Sequence, residues 1–192
     1  PPYYPDHPLT RVDWAHYLES IQMLDRKVGA ILQRLEDEDL ARNTIVFFIS
    51  DHGRAHVRDK QFLYDGGLRV PCIVRWPGQI NSNVVDERLV SGIDFAASTL
   101  HLCNVSTQTD LDGQSFFSSA LRPAVFAARD RCDGTNDRIR CVRTERYKYI
   151  RNLQPERPYM QFNAYKKHHY PVWTLMHVLH ERNELNDVQQ SF

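Results

Sequence analysis

The segment Thr44-Ile45-Val46-Phe47-Phe48-Ile49-Ser50 runs directly into Asp51-His52-Gly53 and decides how the chain folds. A short, continuous apolar and β-branched run that stops at turn-forming residues predicts a buried strand. Such runs are typical of parallel sheets that are covered on both faces. We therefore predict an α/β fold in which this strand brings an acid and an imidazole to its carboxyl end, where open α/β sheets bind ligands.

Asp51 and His52 are predicted to hold a divalent metal ion. A carboxylate supplies a hard oxygen ligand, and an imidazole supplies a nitrogen that softer metals prefer. Gly53 lets the backbone turn away from the strand end. Because a three-residue motif is weakly specific, the alternative stays open that Asp51 caps a turn and His52 is a surface histidine.

A polar segment, residues 54–67, is predicted to form a loop over this strand end. It contains Lys60 and finishes with the tetrad Tyr64-Asp65-Gly66-Gly67. The lysine adds a positive charge that suits an anionic substrate, whereas the alternative interpretation is an ordinary surface lysine. The Asp65-Gly66-Gly67 part of the tetrad is interpreted as structural, because glycines permit a tight turn.

The remaining elements follow from periodicity. Residues 12–38 have apolar positions at spacings of three and four, which predicts a long helix whose apolar stripe faces a core. A second strand is predicted at 68–76 and a helix at 86–104. From about residue 123 the pattern changes to short alternating strands at 124–128, 139–144 and 147–151, which predict an antiparallel meander, followed by a helix at 173–179. We therefore divide the chain into an α/β part, residues 1–122, and an antiparallel-sheet part, residues 123–192.

The composition excludes some classes of protein. The chain has 192 residues, a formal net charge of +0 and 25% charged residues, so its total charge gives no reason to expect a nucleic acid partner. No apolar stretch approaches the roughly 18 residues that span a bilayer. The first residues contain neither an initiating Met nor a signal peptide. The chain is therefore expected to be a piece of a longer protein.

The sequence contains four cysteines, Cys72, Cys103, Cys132 and Cys141, and none of them has the C-x-x-C spacing that is typical of a structural zinc site. Cys132 and Cys141 flank a predicted turn at 133–136. A disulfide between them and a pair of free thiols both remain open.

Several short motifs follow one another along residues 12–152. They are the spaced run Tyr17, Ile21, Leu24-Asp25, Val28-Gly29, Leu32 and Leu35, then Asn43-Thr44-Ile45-Val46, Ser50-Asp51-His52-Gly53, Lys60, Tyr64-Asp65-Gly66-Gly67-Leu68-Arg69-Val70-Pro71, Trp76-Pro77-Gly78, Ile93-Asp94, Leu111-Asp112-Gly113-Gln114-Ser115 and Val142-Arg143-Thr144-Glu145-Arg146-Tyr147-Lys148-Tyr149. Each is weak alone. In this order they resemble the sulfatases of the alkaline phosphatase superfamily, and specifically the C-terminal part of such an enzyme.

The resemblance implies a fold and a set of roles. The implied fold is the C-terminal portion of an alkaline-phosphatase-like α/β/α sandwich with a small antiparallel-sheet subdomain and a terminal helix. Asp51 and His52 would be the later pair of metal ligands, usually for Ca²⁺ and less typically for Mn²⁺ or Zn²⁺. Lys60 would contact the substrate sulfate, with His56 as a further candidate in the same loop and Arg143 as a candidate contact for a sulfated sugar. One alternative is that His56 is a solvated loop residue. Another is that the arginines of the meander lie on an exposed sheet face; these are Arg129, Arg131, Arg138, Arg140 and Arg143.

The sequence also departs from the family pattern. Sulfatases convert the cysteine of a Cys-x-Pro-Ser-Arg or Cys-x-Ala-Ser-Arg motif to formylglycine, and none of the four cysteines here has that setting. The nucleophile and the earlier metal ligands are expected only in a missing N-terminal part of the same enzyme. The resemblance thus implies hydrolysis of sulfate esters or sulfamates by a metal- and formylglycine-dependent mechanism, with this chain alone inactive. The substrate would be a sulfated small molecule or a sulfated sugar, for which a glycosaminoglycan-type sugar is the candidate. It favours a secreted, periplasmic or lysosomal location, while the sequence itself leaves location open.

Two other functions remain open. One is a phosphodiesterase or phosphonate monoester hydrolase of the same superfamily, because Asp-His pairs hold metals there too. The other is a non-catalytic fragment that only packs on a partner. The second alternative predicts an exposed apolar face larger than monomers usually show.

Overall fold

The computed structural model describes residues 2–106, 110–132 and 134–192 of the chain. They form a mixed α/β structure with two compact units. The first unit comprises Pro1–Asn83, Arg129–Arg138 and Gln154–Phe192, and the second comprises Val84–Ala128 and Ile139–Leu153. The division predicted from the sequence, at residue 122, remains a prediction.

The first unit begins with a long helix, α1, at Pro8–Asp37. The helix starts one turn before the predicted position because His7 caps it, with its Nδ1 accepting a bond from the Leu9 amide at 3.1 Å, and because proline fits the first helical position. Arg34 partly offsets the negative charge at the C-terminal end of the helix, because its Nε lies 2.6 Å from the Glu38 carboxylate.

The expectation that the whole apolar stripe of α1 faces a core is wrong for this chain. Only the beginning of the helix packs well, where Trp14 contacts the core and α5 (Pro171–Glu181) lies alongside. Further along, the apolar face of α1 is exposed: it comprises Leu18, Ile21, Leu24 and Ile31. The periodicity identified the helix correctly, but periodicity does not say whether a partner for the face is present.

The core of the first unit joins the N-terminal segment, the loop at residues 54–67 and α5. Its buried members are Tyr4, Val57, Met160, Tyr170, Val172, Trp173 and Met176. Two further short helices complete this region, α4 at Ala164–His169 and α6 at Asp187–Gln190. The sequence predicted α5 in this region but neither α4 nor α6.

Strand β1 spans Val46–Ile49 and pairs with β2, Cys72–Arg75, in an antiparallel register in which Val46 lies opposite Arg75. Both strands were predicted, but β1 is half-buried and its Ile49 is exposed, so the expected fully buried strand of a parallel sheet is not what the described residues form. A continuous apolar run shows that a strand is suited to burial, but it does not show that other strands are there to cover it. In the described part of the chain, β1 and β2 have only each other as hydrogen-bonded neighbours.

The second unit contains helix α3 at Asp94–Leu102, which is shorter than the predicted 86–104. The helix begins at Asp94 because its carboxylate is bonded outside the helix, accepting from the Ser91 amide at 2.7 Å and the Gln114 amide at 2.8 Å and pairing with Arg122. Asp94 is only 2% exposed and anchors three separate segments of this unit.

The predicted meander is confirmed as a three-stranded sheet in the order β3, Val125–Cys132; β4, Thr135–Arg143; and β5, Lys148–Asn152. β4 and β5 are antiparallel, with Cys141 opposite Ile150. The alternation in β4 buries Asp137, Ile139 and Cys141 and exposes Arg138 and Arg140. Residue 133, part of the predicted turn, lies outside the described residues.

Cys72, Cys103, Cys132 and Cys141 are all free, which excludes the disulfide between Cys132 and Cys141 in this structure. None of the helices in the described ranges combines the length and the apolar character needed to cross a membrane.

Candidate active site

Asp51 and His52 lie directly after β1, and their side chains approach each other. The Asp51 Oδ2 and His52 Nε2 atoms are 3.5 Å apart. The Asp51 side chain is 84% exposed, and the His52 side chain is partly exposed. A carboxylate oxygen and an imidazole nitrogen therefore face solvent side by side, as two ligands of one ion would.

The backbone determines which nitrogen His52 offers. Its Nδ1 lies 2.7 Å from the Gly53 carbonyl oxygen, so Nδ1 carries the proton and donates. In the neutral ring the lone pair is then on Nε2, the atom that faces Asp51. Histidine ligands in proteins are oriented by such a bond from the other ring nitrogen.

These two residues fit part of a divalent metal site. The described ranges contain no cluster of three or more His, Cys, Asp or Glu residues that could hold a metal ion. Calcium prefers six to eight oxygen ligands, so a pair of protein ligands would leave such an ion mostly hydrated. The structure thus brings together the two predicted ligands and no complete ligand set.

Glycines allow the loop after the pair to close tightly. The Gly53 amide donates to the Gly67 carbonyl at 3.0 Å, and a Cβ atom on Gly53 would lie 1.7 Å from the Gly66 carbonyl oxygen. A Cβ on Gly66 would meet the Asp59 carboxylate at 1.7 Å. Residues Asp65–Leu68 form a single helical turn, α2, which agrees with the structural role predicted for Asp65-Gly66-Gly67.

Lys60 lies in this loop and is partly buried. Its amide donates to the Arg54 carbonyl at 2.9 Å, and its ammonium lies over the ring of Tyr165, 4.6 Å from the centroid. Within the described residues, no carboxylate lies within ion-pair distance of the Lys60 ammonium. The Tyr165 ring therefore contacts the ammonium without neutralising its charge.

His56 is a packed side chain with 3% of its surface exposed. Its ring stacks on Trp14 at 4.4 Å, and its Nδ1 lies 3.5 Å from the Asp13 carboxylate. Burial lowers the pKa of His56, although Asp13 opposes that shift. These surroundings are those of a core residue, and the predicted contact between His56 and substrate stays a prediction.

Arg143 lies at the end of β4 in the second unit, and its predicted contact with substrate is likewise untested. The other meander arginines differ among themselves. Arg129 is buried, with its guanidinium 4.6 Å from the Phe62 ring centroid and its Nε 3.4 Å from Asp137. Arg131, Arg138 and Arg140 are exposed, as expected for outward positions of a sheet.

Sequence reasoning missed two groups of residues that contact the loop. Arg58 stands at the centre of the first, with its guanidinium 4.2 Å from the ring of Tyr64, 4.9 Å from that of Tyr3 and 5.1 Å from that of Phe192. Cation–π contacts join residues far apart in sequence, so no local pattern could have indicated this group.

The second group is α4. Lys166 is 4% exposed, donates from Nζ to the Val57 carbonyl at 3.2 Å and lies 4.2 Å from the Phe62 ring centroid. Burial, followed by repulsion from Arg129, lowers the pKa of Lys166 to about 7. The only signal in the sequence was the pair Lys166-Lys167 between Tyr165 and Tyr170, and it did not predict a buried side chain, because lysine is rarely fully buried.

Comparison with known proteins supports the reading of these motifs. The Sulfatase family model matches residues 1–105, more than half of the chain. The ulvan-active sulfatase of Formosa agariphila is 40% identical over 162 residues, which are 83% of this chain and 27% of that protein. The N-acetylgalactosamine-6-sulfatase of Homo sapiens is 30% identical over 121 residues, 55% of this chain and 23% of that protein. The chain thus spans about a quarter of the length of the curated relatives it matches.

A solved structure has the same fold over most of the chain. It is a protein in complex with its substrate D-glucosamine-2-N,6-O-disulfate, with a TM-score of 0.57 and 22% identity, covering 88% of this chain and 40% of that one. The likeness confirms the predicted fold class, a portion of an alkaline-phosphatase-like α/β fold with a small antiparallel sheet. With the family model and the relatives, it leads to one conclusion: the chain belongs to the sulfatase family.

Proposed function

We propose that this chain forms one side of an active site that hydrolyses sulfate esters or sulfamates. For an ester the reaction is R–O–SO₃⁻ + H₂O → R–OH + HSO₄⁻. The observation that supports it most directly is the Asp51–His52 pair, in which Nε2 keeps its lone pair because Nδ1 is bonded to Gly53. Lys60 lies in the loop that follows, with no carboxylate to neutralise it in the described part of the chain.

Each residue would have a distinct part in the reaction. The Asp51 carboxylate and the His52 Nε2 atom would hold a divalent cation, for which Ca²⁺ is our proposal. Such an ion, when bound, polarises sulfate oxygens as a Lewis acid. The Lys60 ammonium would pair with the sulfate and offset the charge that develops on the leaving oxygen. None of the four cysteines has the sulfatase nucleophile setting, so formylglycine would come from outside these 192 residues.

The substrate class that we propose is a sulfated sugar. The relatives include sulfatases named for ulvan and for N-acetylgalactosamine 6-sulfate, and the structural neighbour was solved with a disulfated glucosamine. Arg143 is our candidate for a contact with an anionic group of the sugar, because a guanidinium pairs well with sulfate and carboxylate.

The exposed apolar face of α1 supports a further part of the proposal, that additional polypeptide of the same enzyme completes the site. Burying Leu18, Ile21, Leu24 and Ile31 would contribute roughly 25 cal/mol for each Å² removed from water. The same face would also suit a non-catalytic fragment that packs on a partner. A measurement of sulfatase activity is therefore needed to distinguish the two functions.

Turnover of a chromogenic aryl sulfate provides the test. We expect none from the 192-residue chain and clear turnover from the product of the complete reading frame. In the active protein, Lys60→Ala should lower kcat by about 10²- to 10³-fold, the usual effect of removing one group that stabilises developing negative charge. Lys27→Ala, on the exposed surface of α1, is the matched control. Full activity of the Lys60 variant would contradict the proposed role.

Metal binding can be tested on the 192-residue chain itself. Two ligands should give only weak Ca²⁺ affinity, at best in the millimolar range known for loosely held calcium. Calorimetric titration should show this weak binding disappear in Asp51→Asn, while Asp25→Asn, an exposed acid on α1, should leave it unchanged. Equal Ca²⁺ binding by the Asp51→Asn and Asp25→Asn variants would mean that the ion does not bind at Asp51.

A further inference from the structure

Helix α4 and its cap contact the loop that contains Lys60 at several points. Asn163 accepts a bond from the Lys166 amide at 2.8 Å and so caps α4, and its Nδ2 lies 3.4 Å from the Gln61 side-chain oxygen. The Lys166 ammonium donates to the Val57 carbonyl. The Tyr165 ring lies against the Lys60 ammonium. All of these residues belong to the first unit.

The backbone next to Lys60 has an unfavourable conformation that contacts from α4 would stabilise. Gln61 has a φ of 79°, in the left-handed region that residues other than glycine rarely adopt. Strained conformations of this kind persist only where surrounding contacts over-determine them, and they concentrate at functional sites. Lys166 contacts the loop on either side of this residue, at the Val57 carbonyl and at the Phe62 ring, and Asn163 contacts the Gln61 side chain.

The contact between Tyr165 and Lys60 has a chemical consequence. A carboxylate in place of the ring would fix the ammonium but would cancel its charge. An aromatic face attracts the cation through its quadrupole and leaves the positive charge available to an anion on the other side. Tyr165 is itself partly exposed, so the pair is open to solvent.

We propose that α4 positions Lys60 for an anionic substrate: Tyr165 holds the ammonium, Lys166 holds the loop backbone at Val57, and Asn163 holds the Gln61 side chain. This inference rests on the proposed function for the identity of the anion, which is a sulfate group. The contact between Tyr165 and Lys60 can be tested whether or not the chain is active. Tyr165, Asn163 and Lys166 are thus positioning residues that act through Lys60.

The first test measures Lys60 directly in the 192-residue chain. Each lysine is acetylated with an amine-reactive ester, and the rate at Lys60 is followed by mass spectrometry with Lys27 as the internal reference. Tyr165→Leu removes the ring and should raise the rate at Lys60 about 2- to 5-fold, which is the strength of an exposed cation–π contact. Tyr165→Phe keeps the ring and should restore the original rate. His168→Ala, an exposed residue of the same helix, is the control. An unchanged rate in Tyr165→Leu would overturn the positioning of Lys60, whatever the enzyme does.

The second test uses aryl sulfate turnover by the product of the complete reading frame. Tyr165→Leu should lower kcat/KM about 2- to 5-fold with an unchanged melting temperature, and Tyr165→Phe should recover it. A purely structural role would instead lower the melting temperature and leave the kinetics of the folded fraction unaltered. If Lys60→Ala keeps full turnover, the proposed function of Lys60 fails, and with it the link to substrate. If Lys60→Ala loses turnover but Tyr165→Leu keeps it, the function stands and the positioning inference fails.

Discussion

Two regions of the first unit, the loop at residues 50–67 and the apolar face of α1, are packed in opposite ways. In the loop, Gly53 and Gly66 lie so close to neighbouring atoms that no side chain would fit, and His56 and Asp59 are buried. On α1, Ile31 keeps 60% of its surface exposed. The contrast shows that the described residues suffice to fix the shape of the candidate site, whereas they leave the apolar surface of the long helix in water.

The largest expected effect comes from filling the closest approach in the loop. Gly53→Ala should lower the free energy of unfolding by about 3 kcal/mol, the upper range for overpacking, because the new Cβ would collide with the Gly66 backbone, which cannot rotate away. Gly29→Ala in α1 is the matched control. It has no atom within 4 Å of the new Cβ and should gain about 0.5–1 kcal/mol from better helix propensity. Urea denaturation measures both changes, and equal effects would remove the contrast between the two regions.

A smaller effect should come from the buried ammonium that supports the loop. In the folded protein the pKa of Lys166 is about 7, below the ordinary lysine value of 10.5. Between these values the unfolded chain holds a proton that the folded chain has lost, so raising the pH favours folding. Stability should therefore rise by roughly 2 kcal/mol between pH 7 and pH 9, at up to about 1.4 kcal/mol per pH unit.

Lys166→Met removes the titrating group and should abolish this rise, as measured by urea denaturation at several pH values. Lys167→Met, its exposed neighbour, should keep it. A rise that persists in Lys166→Met would assign the pH dependence to other groups.

The smallest effect is expected on the apolar face of α1. Ile31→Gln should change the unfolding free energy of the 192-residue chain by no more than about 0.5 kcal/mol, as surface substitutions do. Met176→Ala, in the core, should cost about 2–5 kcal/mol in the same assay. A large loss in Ile31→Gln would mean that the face is buried in solution, for instance by self-association, which sedimentation would detect.

Much of the fold could be predicted because the deciding signals are local. The spacing of Trp14 and the residues after it predicts α1, and the apolar run before Asp51 predicts β1. Burial was predicted wrongly in the same two elements, since Ile31 of α1 and Ile49 of β1 are exposed. An apolar pattern shows that a residue is suited to a core, but it does not show that a core is present. The helix predicted from residue 86 begins instead at Asp94, since a buried carboxylate bonded to distant amides overrode the local pattern.

The candidate site was predicted less completely. Asp51, His52 and Lys60 could be proposed as site residues because their motifs resemble those of a known family, and their roles stay predictions. The residues that hold them could not be identified, because Tyr165 and Lys166 lie about a hundred positions from the loop and act through ring faces and single hydrogen bonds. Such contacts leave no periodicity in the sequence.

The aromatic group around Arg58 has a consequence for folding. Its rings come from Tyr3, Tyr64 and Phe192, and the Phe192 carbonyl also accepts a bond from the Met160 amide at 2.9 Å. Contacts of such long sequence separation form late, because the intervening chain must be closed into a large loop first. During synthesis the contact of Arg58 with Phe192 can therefore form only after residue 192 has left the ribosome.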